Sequence, residues 1–329
     1  MARRRLPFLV LLATAVAALL ALGAAPAAGT FPGPNGRIAF SDYVSGQTFA
    51  VNPDGSALRR LTHTGPTRAT DYPSWSPNGR RIVFSRFRTD LPNGNDNSRI
   101  WIMNADGTNK RRLADDVQGF RDYTPKFTPD ASQIVFTRCQ PDDGVCAIWK
   151  MGADGTDKQA LTPYVHGSTN EAVDFGLSIS PDGKWIVFTR FFSDGFAARL
   201  FVMGINGSHP HAITPPRLEG GQPDWSPSGH RIVFNSNAPR NGSSLFTIEP
   251  DGSDIHRLTP DRFPHNDALA SYSPQGNRIA FTSDRNYPDA CCLDLFAIEP
   301  DGSDEHLIDT GLSEHGILWP SWGTAPLIH

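Results

Sequence analysis

The segment Pro73-Ser74-Trp75-Ser76-Pro77-Asn78-Gly79, followed after two arginines by Ile82-Val83-Phe84, contains the clearest structural signal in this chain. An aromatic residue, a Pro-Asn-Gly turn and a short apolar run are typical of two β-strands joined by a tight turn. The apolar run recurs at intervals of 44, 52, 52, 46 and 47 residues. Its six copies are Ile38-Ala39-Phe40, Ile82-Val83-Phe84, Ile134-Val135-Phe136, Ile186-Val187-Phe188, Ile232-Val233-Phe234 and Ile279-Ala280-Phe281. This periodicity indicates one structural unit that is repeated along the chain.

Each repeat continues into a second apolar run and then into a hairpin turn. In one repeat, Ile100-Trp101-Ile102-Met103 leads to Asp106-Gly107. Asp-Gly and Asn-Gly between strand-like residues are the strongest short signal for a β-hairpin. The six dipeptides are Asp54-Gly55, Asp106-Gly107, Asp154-Gly155, Asn206-Gly207, Asp251-Gly252 and Asp301-Gly302. The pattern predicts four short antiparallel strands in each unit of about 50 residues.

The apolar runs also indicate how the units pack. They are apolar at consecutive positions and do not alternate, so both faces of each small sheet must be covered. Sheets stacked face to face around an axis satisfy this requirement, whereas an open β-solenoid is built from shorter repeats. We therefore predict an all-β fold, a six-bladed β-propeller of four-stranded antiparallel blades.

The two ends of the chain are predicted to share one blade. The segment before Ile38 is too short and too rich in proline and glycine to supply a first strand. The C-terminal segment Leu318-Trp319-Pro320-Ser321-Trp322 instead matches first-strand segments such as Tyr72-Pro73-Ser74-Trp75. Pairing of the N- and C-terminal strands would leave the ring without an open edge.

The first 28 residues have the pattern of a cleaved signal peptide. Arg3-Arg4-Arg5 precedes an apolar run from Leu6 to Gly23, and Ala25-Pro26-Ala27 supplies small residues at the spacing of a cleavage site. A retained N-terminal anchor is the alternative. No later stretch approaches the ~18 apolar residues that cross a bilayer. We expect residues 1–28 to be removed, residues 29–329 to form the propeller, and the mature protein to be secreted or periplasmic, on the cell-envelope side.

Composition and motifs argue against several function classes. The formal net charge is −4, and a mildly acidic chain lacks the basic face that nucleic acid requires. The sequence contains no Gly-x-Ser-x-Gly, Gly-x-x-x-x-Gly-Lys, His-Glu-x-x-His or Cys-x-x-Cys motif. These absences favour a binding protein over an enzyme.

The repeat resembles the TolB-type, WD-repeat-like β-propeller repeat. The resemblance rests on Pro73-Ser74-Trp75-Ser76-Pro77-Asn78-Gly79, the Ile-Val-Phe run, the Asp-Gly hairpin and the following Leu-Thr, and it covers the predicted mature chain. TolB carries an α/β domain before its propeller, for which residues 29–329 leave no room, and it docks proteins of the cell envelope. Similar repeats occur in prolyl-oligopeptidase-like and tricorn-like proteases and in oligogalacturonate lyases.

We expect a monomeric binding module for a protein or glycan of the envelope or the extracellular space. The alternative is a carbohydrate-active enzyme, such as a metal-dependent lyase or hydrolase with its site at the mouth of the channel. A purely structural envelope component is a third interpretation. Fold-level resemblance does not decide among these functions.

Two sets of charged residues are candidate ligand-binding groups at the channel mouth. Arginines follow the apolar run of three consecutive repeats, and aspartates lie just ahead of four predicted innermost strands. They are Arg86, Arg138, Arg190, Asp71, Asp122, Asp174 and Asp267. Such a ring could bind a carboxylate group or a cation such as Ca²⁺. The structural alternative is Arg–Asp pairing between neighbouring blades.

Histidines and cysteines complete the set of candidates. His166, His265 and His315 lie in loops between blades and are weak candidates for a divalent metal site, which a lyase would use to acidify a substrate proton. No other cofactor is expected. Cys139 and Cys146 are predicted to form a cross-strand disulfide, as exported chains permit. The adjacent Cys291 and Cys292 could form a vicinal disulfide, stay reduced or pair with another chain.

Overall fold

Six four-stranded antiparallel sheets account for the regular structure in the part of the chain that the structure describes. The computed structural model describes residues 31–90, 97–113, 119–140, 144–165, 172–192, 198–237, 242–262, 264–287, 292–312 and 316–328. Within these ranges there are 24 strands and no helix, so nothing in this part of the chain is a helix able to cross a membrane. The prediction of an all-β, six-bladed propeller is confirmed.

The strands follow one another along the chain in blades of four, and the first blade takes its innermost strand from the C-terminus. Blade 1 consists of β24 (Ile317–Trp322), β1 (Ile38–Asp42), β2 (Gln47–Val51) and β3 (Arg59–Arg60). Blade 2 consists of β4 (Arg68–Trp75), β5 (Arg81–Arg88), β6 (Arg99–Asn104) and β7 (Arg111–Arg112). Blade 3 consists of β8 (Arg121–Phe127), β9 (Gln133–Cys139), β10 (Cys146–Gly152) and β11 (Gln159–Ala160).

The remaining three blades repeat the same order. Blade 4 consists of β12 (Ala172–Ile179), β13 (Trp185–Phe192), β14 (Ala198–Gly204) and β15 (His211–Ala212). Blade 5 consists of β16 (Gly221–Trp225), β17 (Ile232–Ser236), β18 (Ser244–Ile248) and β19 (His256–Arg257). Blade 6 consists of β20 (Asp267–Tyr272), β21 (Ile279–Ser283), β22 (Asp294–Ile298) and β23 (His306–Leu307). The first strands of successive blades contact one another and therefore surround the axis.

The core lies between the blades. The second strands carry the repeated apolar run, and their phenylalanines, from Phe40 to Phe281, are fully buried. One cluster combines Val135 and Ile148 of blade 3 with Phe188 of blade 4, so each sheet packs against its neighbour. This packing explains why the runs are apolar at consecutive positions, since each face of the sheet meets another blade.

Closure of the ring follows the predicted pattern. Strand β24 pairs with β1 in antiparallel register, with Ile38 opposite Trp322 and Asp42 opposite Ile317. The indole Nε1 of Trp322 also donates to the carbonyl of Gly36 at 2.9 Å. The pairing of the two terminal strands completes blade 1 and removes the open sheet edges that the ring would otherwise present.

The predicted disulfide is present in blade 3. Cys139 of β9 and Cys146 of β10 lie opposite each other in the strand register and are bonded. Cys292 is buried. The other predictions that concern residues 1–28, Cys291, His166 and His315 lie outside the described residues.

Every innermost strand contains a β-bulge at the same position. The bulged residues have positive φ angles between 47° and 57°, a region that non-glycine residues rarely adopt. They are Tyr72, Thr124, Gly176, Gln222, Leu269 and Trp319. All six residues line a small axial cavity of about 60 Å³. The bulged residues therefore line the narrow part of the channel. Each bulge also shifts the register between the first and second strands, so it determines which side chains lie opposite each other.

Candidate functional site

The predicted aspartates and arginines lie near one end of the ring, which we call the loop face. It carries the connections from second to third strands and from each blade to the next, among them residues 43–46, 61–67 and 213–220. The four aspartates lie within the innermost strands, and not ahead of them as expected from the sequence. Their predicted role in binding a ligand stays a prediction, and their geometry differs from blade to blade.

In blades 3 and 4 the two charges form closed pairs. Arg138 donates to both carboxylate oxygens of Asp122 at 2.7 and 2.9 Å. Arg190 contacts Asp174 in the same way at 2.6 and 2.8 Å. Both carboxylates are almost fully buried. The pairs join the first and second strands of one blade, whereas the structural alternative drawn from the sequence placed them between neighbouring blades.

An aromatic ring of the third strand lies beneath each of these guanidinium groups. Arg138 lies over Trp149, 5.0 Å from the ring centroid, and Arg190 lies over Phe201 at 4.7 Å. A buried bidentate pair with a cation–π contact satisfies the arginine on two sides. Removing either partner would leave an uncompensated buried charge, so these pairs consolidate their blades.

Blade 6 builds the same arrangement from different positions in the sequence. Asp267 accepts from Arg285 at 2.5 Å and from Arg262 at 3.1 Å. Both arginines also pair with Glu305, and Arg285 lies over Phe296 at 4.3 Å. Analysis of the repeats did not identify these arginines. Both lie in loops and not two residues after the apolar run, where Arg86, Arg138 and Arg190 lie.

Blade 2 departs from this pattern by one residue. Asp71 directly precedes the bulge and lies opposite Ser85, whereas the residue opposite Arg86 is Thr70. The Thr70 hydroxyl is bonded to the hydroxyls of Thr48 and Thr62 at 2.9 and 3.1 Å. Arg86 keeps its aromatic contact, 4.6 Å above Trp101, but a hydroxyl group occupies the position that a carboxylate occupies in blades 3 and 4.

Asp71 lies instead at the seam between blades 1 and 2. Its Oδ1 accepts from the amide of Tyr72 at 2.9 Å. Burial raises the pKa of the Asp71 carboxyl to about 6. The residue lines a cavity of about 390 Å³ together with Tyr43 and Val44, which we call the seam cavity. Tyr43 and Val44 are 77% and 62% exposed, which is unusual for large apolar side chains.

The channel is narrow and aromatic at the bulges. The Tyr72 and Trp319 rings lie 4.4 Å apart, and Tyr123 and Phe175 each lie about 6 Å from Tyr72. Burial raises the pKa of the Tyr72 hydroxyl. These contacts place a cluster of aromatic side chains from blades 1 to 4 beside the axial cavity.

A polar side chain lies two residues after each bulge, and four of the six accept a backbone hydrogen bond from the next blade. The six residues are Ser74, Lys126, Ser178, Asp224, Ser271 and Ser321. Ser178 Oγ accepts from the amide of Trp225, and Asp224 accepts from the amide of Tyr272. Lys126 is the one cation at this level, and burial lowers the pKa of its ammonium group. This belt is a structural connection between neighbouring blades.

The predicted metal ligands are not brought together in the described part of the chain. His265 Nδ1 lies 3.5 Å from Asp284 Oδ1, and Asp284 also accepts from the amide of Asn266 at 2.6 Å. Among the described residues no group of three histidine, cysteine, aspartate or glutamate side chains could hold a metal ion. The metal site and the enzyme alternative stay predictions, because His166 and His315 lie outside these residues.

These observations define the class of protein: a β-propeller of six blades, closed by strands from both ends of the chain. Comparison with known families then gives the particular family. The model of the TolB beta propeller domain matches residues 69–259, which is more than half of the chain. The protein belongs to this family.

Individual relatives share parts of the chain. It is 28% identical over 177 residues to YuxL of Bacillus subtilis, named an uncharacterized peptidase, which covers 54% of this chain and 23% of that protein. It is 40% identical over 77 residues to the Tol-Pal system protein TolB 1 of Novosphingobium aromaticivorans, covering 23% and 16%. TolB from Acinetobacter baumannii has a similar structure, with a TM-score of 0.68 over 89% of this chain and 68% of that chain at 16% identity. The chain thus spans less than a quarter of either curated relative's length.

Proposed function

We propose that this protein is an exported binding module that holds a protein partner on its loop face, in the cell envelope or outside the cell. Three observations support the proposal. The N-terminal segment has the pattern of a signal peptide, the chain belongs to the TolB beta propeller domain family, and a relative is named as a component of the Tol-Pal system.

The seam cavity is the observation that carries the proposal. It combines a recess of about 390 Å³ with the exposed side chains of Tyr43 and Val44. Burial of their apolar surface against a partner would be favourable, because apolar surface is transferred out of water. Tyrosine at the edge of a recess is a common anchor in protein interfaces, because it buries a large area and keeps a polar tip. Leu318 of the closing strand lines the same cavity. An apolar side chain of a partner segment inserted here would cover all three residues.

Site-specific crosslinking tests the position of the partner. A photoreactive amino acid at Tyr43 is expected to crosslink a defined protein in the native envelope or culture fluid. The same probe at Leu307, an exposed residue of blade 6 on β23, is the matched control and should give no such product. The double variant Y43S/V44S should lose the partner while its thermal unfolding stays unchanged. Equal crosslinking from both positions, or retention of the partner by the double variant, would contradict a site on the loop face.

Export is tested separately. N-terminal sequencing of the protein from fractionated cells should find a chain that begins after residue 28, located outside the cytoplasm. A chain that begins at Met1 and stays in the cytoplasmic fraction would refute export but leave the loop-face site in place. A chain that begins at Met1 in the membrane fraction would support the retained anchor.

A further inference from the structure

Five arginines surround one cavity on blade 2, which we call the arginine cavity. It has a volume of about 250 Å³ and lies at the ends of the strands next to the loop face. Its charged residues are Arg68, Arg86, Arg88, Arg99 and Arg112, and Trp101 forms part of its wall. Such a concentration of one charge stands out in a chain whose formal net charge is −4.

Three of these arginines, Arg88, Arg99 and Arg112, have partners within the protein. Arg88 forms a bidentate pair with Asp90 at 2.9 and 2.6 Å. Arg99 donates through Nη1 to the backbone carbonyls of Ser98 and Phe120. These contacts hold the two side chains in place and shape the wall of the cavity, and the Arg88 charge is compensated.

Arg86 and Arg68 differ from them. Among the described residues the buried Nε group of Arg86, like that of Arg99, has no hydrogen-bond acceptor, although the Trp101 ring supports the Arg86 guanidinium at 4.6 Å. Within the described ranges neither arginine side chain forms an ion pair with a carboxylate. Burial and the nearby charge of Arg68 lower the pKa of Arg86. A buried donor without an acceptor is costly, and its cost is relieved by a ligand that supplies an oxygen.

Comparison with the neighbouring blades shows what kind of group is missing. In blades 3 and 4 the corresponding arginine is closed by Asp122 or Asp174 in bidentate geometry. In blade 2 the residue at this place is Thr70, so the guanidinium of Arg86 can donate two parallel hydrogen bonds to the oxygens of an external oxyanion. With Arg68 beside it, the cavity carries two uncompensated charges, which match a doubly charged anion better than a single carboxylate.

We propose that the arginine cavity of blade 2 binds a phosphate group, with Arg86 as the bidentate ligand and Arg68 as the second cation. The volume exceeds that of a phosphate ion alone, so the cavity also accommodates part of a group esterified to it. Free phosphate and a phosphate monoester share this chemistry. The inference is tested separately from the proposed protein partner, because its bidentate ligand, Arg86, does not line the seam cavity, although Arg68 lines both cavities.

Calorimetric titration of the whole mature protein tests the proposal. Inorganic phosphate at constant ionic strength is expected to bind at one site per chain, and acetate is not. R86Q should weaken phosphate binding at least ~10-fold, since one bidentate charged contact is lost. R80Q, which alters an exposed arginine of the turn before β5, is the control and should bind phosphate like the unaltered protein.

A second variant tests the mechanism without removing the arginine. T70D places a carboxylate opposite Arg86, as in blades 3 and 4, and should abolish phosphate binding while thermal unfolding shows a folded protein. If T70D does not fold, R68Q, at an exposed position, serves in its place and should also weaken binding. Glycerol 3-phosphate distinguishes the sources: tighter binding than inorganic phosphate indicates a phosphate ester, and weaker binding indicates free phosphate. No binding of either up to ~10 mM, or equal binding by R86Q, would overturn the proposal.

Discussion

Blades 2 and 3 use the same components and reach different results. Each has an arginine two residues beyond the apolar run and a tryptophan beneath it, Arg86 over Trp101 and Arg138 over Trp149. Blade 3 adds Asp122, which closes the pair, whereas blade 2 has Thr70 at that place. A repeated framework can thus keep one copy of a motif for stability and leave another open to a ligand.

The difference arises from one step in register relative to the bulge. Asp122 lies two residues before the bulged Thr124 and faces Arg138, but Asp71 lies directly before the bulged Tyr72 and faces the seam cavity. Because neighbouring residues on a strand point to opposite faces, this shift moves the carboxylate away from the arginine. The same residue type therefore has a structural role in one blade and a position beside a cavity in the next.

The largest expected effect comes from breaking the ring in which both blades are held. A chain that ends at Leu318 loses most of β24 and leaves β1 without its partner strand. We expect it to lose the cooperative thermal transition of the full chain, because the blades depend on their neighbours for burial. A chain that ends at Ala325 retains β24 and is the control. Unchanged melting of the shorter chain would show that the closing strand is dispensable.

The second largest effect on stability is expected when the Asp122–Arg138 pair of blade 3 is broken. D122N leaves the Arg138 charge buried without a carboxylate, and we expect a loss of about 3–5 kcal/mol in the free energy of unfolding. R86Q in blade 2 removes an arginine that has no carboxylate partner, and it should change the free energy of unfolding by less than about 1 kcal/mol. Urea denaturation measures both variants. Equal losses would mean that Arg86 is paired as Arg138 is.

The shifted aspartate of blade 2 predicts a dependence of stability on pH. Burial raises the pKa of Asp71 to about 6, above its ordinary value of 3.8, so folding favours the neutral carboxyl. The stability from this group is complete below about pH 3.8 and is lost as the pH rises through about 6. D71N should raise the free energy of unfolding at pH 7 by about 2–3 kcal/mol and leave it unchanged near pH 3.8.

Urea titrations at several pH values measure this difference. D182N alters an exposed turn residue of blade 4 and serves as the control, with a pH profile close to that of the unaltered protein. A constant difference between D71N and the unaltered protein at all pH values would show that Asp71 does not titrate in this range.

A further, smaller loss than that of D122N is expected from the disulfide, which blade 3 has and blade 2 lacks. The double variant C139S/C146S should lower the free energy of unfolding by about 2 kcal/mol, because the closed loop is short. Blade 3 should remain folded, since Asp122 and Arg138 still join its inner strands. Denaturation of the unaltered protein with and without a reductant provides the comparison, and a loss as large as that of D122N would contradict this ranking.

The sequence repeat allowed the architecture to be predicted. The β-bulges prevented the same for the charged site, because they determine which residue faces each arginine. Six apolar runs and six Asp-Gly or Asn-Gly turns are local signals, and the structure follows them. The register of Asp71 is not local, because the bulged positions are occupied by residues as different as Tyr72, Thr124 and Leu269. A left-handed backbone conformation that tertiary packing imposes cannot be predicted from the type of residue at that position.

The arginines of blade 6 and the open site of blade 2 illustrate two further limits. Arg262 and Arg285 reach Asp267 from two loops, so their contact depends on how the loops fold back over the ring. Thr70 carries no functional signal by itself. It becomes informative only when the register places it opposite Arg86 and its counterparts in the other blades are aspartates.

The shared first blade has a consequence for how the chain is made. Strand β1 precedes blades 2 to 6 in the sequence and its inner partner β24 follows them, so these blades can assemble while blade 1 still exposes an unpaired edge. Ring closure therefore requires that the chain has been synthesised through β24. A chain interrupted before residue 317 keeps its exposed edge and is open to proteolysis and aggregation, which removes incomplete molecules from the functional population.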